Sequence, residues 1–331
     1  MTIQKTEPQP QQPGQKGPLE QAIITMAVSP DVAHDGTILA VTSDGTLFSS
    51  TDRGGTWRTV SLPGSGMAMS VALSATFDKD GLMWVSLPEG QLVSSADRGQ
   101  TWIDSYITRP ASAASALAAS PEVGKDGLVL AATLEDGVLR SLDRGRTWSP
   151  GNFGLLDLKT LGLVVCPSFA AEQIVLVMTE SALYRSRNGG LSWKEAGFWE
   201  DALQCAVFSP AFAEDRRAWA GTEKNGLMQS QDGGVTWQPV STFPKAAGEG
   251  AAVSINSLAT LSLEKTWILA GTSAGLYASS DLGTTWKLAL PDVNILTLAT
   301  GGKGAASWTF AASETDGLFA CNGRPDTWKK L

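Results

Sequence analysis

The octapeptide Ser50-Thr51-Asp52-Arg53-Gly54-Gly55-Thr56-Trp57 decides the fold, because it recurs along the chain. It returns as Ser95-Ala-Asp97-Arg98-Gly99-Gln-Thr101-Trp102 and as Ser141-Leu-Asp143-Arg144-Gly145-Arg146-Thr147-Trp148. Three more copies start at Ser186, Ser230 and Ser279, and a worn seventh ends the chain at Asn322 to Trp328. The pattern is S-x-D-x-G-x-T-W. Its tryptophans stand 45, 46, 45, 44, 49 and 42 residues apart. A repeat of this length, filled with short alternating apolar runs, predicts propeller blades of four antiparallel strands each.

The first repeat supplies the parts. Ile23 to Val28 is one strand and Thr37 to Thr42 a second. Ser43-Asp44-Gly45 has the chemistry of a tight hairpin turn, Thr46 to Ser50 is a third strand, and Thr56 to Val60 a fourth. The other six repeats align on this one. Ser-Pro punctuation closes several first strands, at Ser29, Ser120 and Ser209, with Cys166-Pro167 as a variant. The expected fold is all-β, a seven-bladed propeller over residues 21–331. Residues 1–20, rich in Gln and Pro, read as a disordered tail. All seven units run first to fourth strand in order, so the expected seam lies between Trp328–Leu331 and the blade at Ile23, unless residues 15–21 add a strand there.

Each motif residue has a turn-forming task. The aspartate accepts bonds from backbone N–H groups of its own turn, the glycine allows positive φ, and the tryptophan buries a large ring. This assigns Asp52, Asp97, Asp143, Asn188, Asp232 and Asp281 to structure. A catalytic constellation occurs once; a device present in every blade serves the fold. The arginine at the fourth position is the one part that the turn does not require.

This motif resembles the Asp-box, or BNR repeat, over nearly the whole chain after residue 20. Asp-boxes occur in sialidases, sortilin-type receptors and xyloglucan-cleaving glycosidases. They also occur in the photosystem II assembly and stability factor, a single seven-bladed ring that this chain resembles most, along with bacterial BNR-repeat proteins. The resemblance implies a propeller and leaves the function open.

With 331 residues, 43% hydrophobic, a large soluble core is available. The net charge of −8 argues against nucleic-acid binding and anionic membrane surfaces. Neither an apolar run long enough to span a membrane nor a secretory signal pattern is visible, which gives a cytoplasmic expectation. Cys166, Cys205 and Cys321 have no paired spacing, and His34 is the single histidine, read as a solvated loop residue, so neither metal nor cofactor is expected. Tyr184 and Tyr277 share an otherwise apolar strand position and read as packing residues, against a sialidase nucleophile. No carboxylate pair is marked out for glycoside cleavage. The expectation is therefore a non-catalytic chain, an assembly or protein-interaction scaffold. Carbohydrate binding or glycoside hydrolysis is the alternative.

The loops between second and third strands should share one face with the inter-blade loops. That face gathers Asp44, Glu89, Glu135, Asp136, Glu180, Glu223, Glu314 and Asp316. These acids are either a docking ring for a basic segment or cation, or simply solvated turns. Inter-blade loops add Phe153, Phe198, Trp199 and Phe243, which either form an apolar patch or plug the blade ends. The expected partner-binding face is Phe153, Glu180, Phe198, Trp199, Glu223 and Phe243. On the opposite rim, Arg53, Arg98, Arg144 and Arg146 predict a basic arc.

Overall fold

The computed structural model describes residues 3–5, 17–64, 66–107, 111–198, 201–245 and 253–331. They form seven antiparallel sheets whose four core strands follow chain order in every case. Blade 1 is built from Ile23–Val28, Ile38–Thr42, Leu47–Ser50 and Arg58–Thr59, and blade 4 from Thr160–Val165, Val175–Thr179, Ala182–Ser186 and Lys194–Phe198. The first strands of neighbouring blades touch all the way round, blade 7 against blade 1 included, which closes the ring. The seven-bladed all-β expectation is met.

The second strands carry most of the core. Ile38 to Thr42, Val129 to Thr133 and Val175 to Thr179 are buried at every position, because each blade is sandwiched between two others. Apolar clusters therefore lie between blades, as where Ile23, Met26 and Ile38 of blade 1 meet Phe310, Leu318 and Ala320 of blade 7. Among the described residues, no strand is exchanged across this seam. Side-chain packing holds it instead: Trp57 of blade 1 and Leu331 of blade 7 pack against the same apolar cluster, and the Arg53 guanidinium lies 5.3 Å from the Trp308 ring centroid.

Two sheets gain an outer strand. Ile3–Lys5, within the segment read from sequence as a tail, pairs antiparallel with Thr101–Asp104 of blade 2. Tyr106–Ile107 crosses from blade 2 to run parallel to Thr147–Trp148 of blade 3. Pro18–Glu20 forms a single 3-10 turn rather than a strand at the seam.

The Ser-Pro punctuation has a structural cause. In blades 1 to 5 a four-residue helix follows the first strand, as at Val32–Asp35 and Phe77–Asp80, with an apolar first residue turned into the core. Ser29, Ser74, Ser120 and Ser209 each donate a hydroxyl to the aspartate six residues on, at 2.6–2.8 Å. Where Cys166 replaces the serine, Glu172 stands at that aspartate's position and pairs with Arg216 of the next blade instead.

Candidate functional site

The octapeptide forms one geometry six times. In the second copy, Ser95 Oγ donates to Asp97 Oδ1 at 2.7 Å and accepts Gly99 N–H at 2.8 Å. Asp97 then takes Thr101 N–H at 2.8 Å and the Thr101 hydroxyl at 2.5 Å. Asn188 reproduces this with its amide: Oδ1 accepts Ser192 N–H and Nδ2 donates to Ser192 Oγ. These bonds hold the carboxyls below the usual carboxylate range. Asp52 is lowered to about 2, chiefly by the Thr56 backbone N–H and hydroxyl. Asp232 also falls to about 2, where burial pushes upward but the bonds from Thr236 and Ser230 prevail. A carboxylate with its oxygens committed in this way is a poor proton shuttle.

The arginines at the fourth position are also used by the fold, contrary to the expectation. Arg53, Arg98 and Arg144 take φ near +61 to +64, a left-handed conformation. Each donates to a carbonyl of the short helix in its own blade, Ala33 O, Asp78 O and Gly124 O, at 2.6–2.9 Å. The guanidinium bridges motif turn and helix. Arg146, at the sixth position, is exposed. His34 is exposed and bonded to Asp31 at 2.6 Å. Tyr184 is buried, and Tyr277 packs against Phe243.

On the opposite face the predicted neighbours do meet. Backbone bonds from Ser43, Leu134, Glu223 and Glu314 reach the residues that open the first strands, so hairpin turns and inter-blade loops share this end. Asp44, Glu89, Glu135, Glu180, Glu223 and Glu314 are exposed there, while Asp136 and Asp316 are half-buried. Lys159 offsets one of them, 3.3 Å from Glu180. Asp201 is buried and takes Lys224 N–H and Asn225 N–H at 2.7 and 2.8 Å, fixing the blade 5 turn.

The most distinctive element here is the loop from Gly151 to Lys159. Asn152 bonds to Val138 N–H and Asp136 O. Phe153 O accepts Trp193 N–H from blade 4, and Leu155 is buried. Asp157 takes the Lys159 N–H and the Ser181 hydroxyl. Pinned at both ends and in the middle, the loop still leaves Phe153 82% and Leu156 85% exposed. Phe153 runs beside Ser192 and Trp193 at the end of the blade 4 motif turn, along the outer edge, while Met67, Leu134 and Leu158 add exposed apolar surface among the hairpin turns and inter-blade loops. A rigid loop that presents two large apolar side chains to water has the anatomy of a binding anchor.

The other predicted members fare differently. Glu180 and Glu223 stand exposed on this face. Phe198 ends the fourth strand of blade 4, and Trp199 lies outside the described residues. Phe243 is buried, edge-on to Tyr277 and Trp286 with centroids 5.6 and 4.8 Å away. The ring plugs the junction of blades 5 and 6 and is not available to a partner. Leu156, three residues after Phe153, is the anchor that the sequence reading did not select. An adjacent Leu155-Leu156 pair in a loop cannot bury both side chains in one direction, which was the available signal.

The fold is that of a seven-bladed β-propeller, and comparisons with known proteins agree with it. No protein-family model matches the chain. One stretch of 69 residues is 35% identical to the oligoxyloglucan reducing end-specific xyloglucanase of Emericella nidulans, covering 21% of this chain and 8% of that protein. The GH74 xyloglucanase from Xanthomonas campestris superimposes with a TM-score of 0.71 at 17% identity, over 98% of this chain and 54% of that one. YCF48 bound to D1 peptide superimposes with a TM-score of 0.63 at 18% identity, over 93% of each chain. The chain thus spans about half of the GH74 structure and a small part of the curated relative. The two xyloglucanases overturn the expectation of a chain without catalysis: an enzyme class shares its fold and a stretch of its sequence.

Proposed function

We propose that the chain is a partner-binding propeller of the Asp-box type, which docks a protein segment on the face that carries Phe153 and Leu156. The observation that carries the reading is the exposure of these two side chains on a loop held by Asn152, Leu155 and Asp157. Burying either one is worth about 2 kcal/mol, so together they can anchor a complex of moderate affinity. Glu180 and Glu223, exposed at the hairpin turns of blades 4 and 5, add negative charge at that end of the blades. The full-length correspondence with YCF48, described as bound to a peptide, supports an assembly or interaction role. The test is capture of partners from the source cell on immobilised protein. Phe153→Ala/Leu156→Ala should lose at least one specific partner that wild type and Arg98→Ala/Arg144→Ala both retain. Equal recovery on all three baits would sink the reading.

A second reading follows from the xyloglucanase similarity: a propeller that binds or cleaves a glycan. Cleavage needs two carboxylates facing across a cleft. The motif aspartates are committed to their turns, which leaves acids of the loop face such as Glu89, Glu135, Glu180 and Glu223. Turnover of xyloglucan oligosaccharides, lost on substitution of one of these, would favour this reading over the first.

A further inference from the structure

The first strands form the inner wall of the ring, and their starts surround its axis at the end that carries the hairpin turns. In every blade but the second, the second residue of this strand is a β-bulge, left out of the ladder: Ile24, Ser115, Leu161, Gln204, Asn256 and Leu296. A bulge re-aims the side chain it carries. In blades 3 and 6 that side chain serves the next blade, as Ser115 Oγ donates to Thr160 O at 2.8 Å and Asn256 Nδ2 to Ile295 O at 2.9 Å. In blades 1 and 4 it is Ile24 and Leu161, which have nothing to donate and stay 46% and 39% exposed.

The apolar side chains are not spread evenly round the axis. Leu296 of blade 7, Ile24 of blade 1 and Met69, at the corresponding place in blade 2, follow one another. Met67, 45% exposed, joins them: a methyl group on Gly45 would meet its Cβ at 3.0 Å, so it lies against the blade 1 hairpin turn. Backbone bonds from Ser43 N–H to Ala22 O and from Glu314 N–H to Asn294 O, at 2.9 and 3.1 Å, set the hairpin turns beside the same strand starts. These turns and the loops next to them carry Glu20, Asp44, Glu89, Asp292 and Glu314, all exposed. None of these acids forms an ion pair among the described residues. The segments that build this sector, residues 17–24, 42–47, 60–69, 86–92, 291–296 and 313–318, contain no Lys or Arg. The sector of blades 4 and 5 differs, because Lys159 and Lys224 stand among its acids.

We propose that the axial mouth at blades 7, 1 and 2 docks a cationic segment of a partner protein. Its lysines or arginines meet the carboxylates, and an apolar side chain beside them packs on Ile24, Met67 and Met69. A rim of one sign attracts a basic segment and turns an acidic one away. The apolar floor adds a contact that salt does not screen. This site lies away from the Phe153 loop between blades 3 and 4 and does not depend on it.

The two methionines report on the site. Full-length protein labelled with ¹³C at the methionine methyls is titrated with the synthetic peptide Leu-Arg-Lys-Leu-Arg-Lys and with its acidic counterpart Leu-Glu-Asp-Leu-Glu-Asp. Met67→Leu and Met69→Leu assign the two resonances. Both should move saturably with the basic peptide and stay still with the acidic one, while the buried Met83 and Met178 keep their positions. Glu20→Gln/Glu89→Gln/Glu314→Gln should weaken binding about fivefold or more, the loss of three exposed charges, and Glu180→Gln/Glu223→Gln should leave it unchanged. Ile24→Ser should weaken it by a similar factor through the lost apolar contact. Unmoved Met67 and Met69 resonances, an equal response to the acidic peptide, or unchanged affinity in the triple variant overturns the proposal. Displacement of the basic peptide by calcium at constant ionic strength would assign the carboxylates to a metal ion and overturn it as well.

Discussion

Replacing Asp97 separates what its motif turn needs from what it merely contains. The side chain accepts four bonds, from Ser95 Oγ, Gln100 N–H, Thr101 N–H and Thr101 Oγ1. A hydrogen bond to a charged group contributes roughly 1.5–3 kcal/mol when partners are buried. The two backbone donors here are near solvent and can rehydrate, so the four do not add. Asp97→Ala should cost about 2–3 kcal/mol, within the upper range for single substitutions. Asp97→Asn should cost well under half of that, because blade 4 carries the same replacement naturally: Asn188 keeps Ser186 Oγ and Ser192 N–H on its Oδ1 and lets the Ser192 hydroxyl accept instead of donate. Equilibrium urea unfolding with an unchanged slope is the assay, supported by a fall of about 5 °C in midpoint temperature for Asp97→Ala. If Asp97→Asn is as damaging as Asp97→Ala, charge rather than bond geometry holds the turn. If Asp97→Ala costs less than about 0.5 kcal/mol, the turn does not depend on this residue at all, and the reasoning fails.

The lowered carboxyl pKa values predict acid sensitivity. A carboxyl at about 2 in the folded state against 3.8 in the reference state contributes stability that is present above the higher value and lost as pH falls through the lower; urea midpoints should drop between these limits, and less steeply in Asp52→Asn. Two buried indoles give a paired comparison. Trp84→Phe removes an N–H that donates to Arg144 O of the next blade and strands that carbonyl, whereas Trp219→Phe removes one with no partner among the described residues, so Trp84→Phe should be the more destabilising by about 1 kcal/mol in urea unfolding; equal losses would contradict this difference between the two indoles. Gly154 has φ +82, and a methyl group there would meet Trp193 O at 2.3 Å. Gly154→Ala should therefore displace the anchor loop and weaken partner capture with Phe153 and Leu156 both still present.

The blades were legible in the sequence because each carries its own local instruction. An aspartate, a glycine and a tryptophan at fixed offsets specify a turn without help from elsewhere, and seven repetitions fix the period. What was not legible depends on distant partners. Ile3–Lys5 pairs with a strand about one hundred residues away, and no feature of either segment announces the other. Phe243 looked like a loop aromatic, but the long connection around it folds back into the blade junction and buries the ring. The arginines of the motif looked free because their acceptors, carbonyls of short helices, leave no trace in sequence. The face of the candidate site followed from strand order alone; which side chain on it is exposed depended on packing, and Leu155 and Leu156 differ only in that.

The most direct test of the partner-binding claim compares two exposed leucines on opposite faces. Leu156 is 85% exposed in the anchor loop, and Leu142 is 62% exposed at the second position of a motif turn. A photoreactive residue is placed at each site in turn and irradiated in the source cell. The account predicts a discrete cross-linked species from position 156 that is absent from position 142 and disappears when Phe153→Ala is added. Cross-links of equal yield from both positions, or none from position 156, would contradict it.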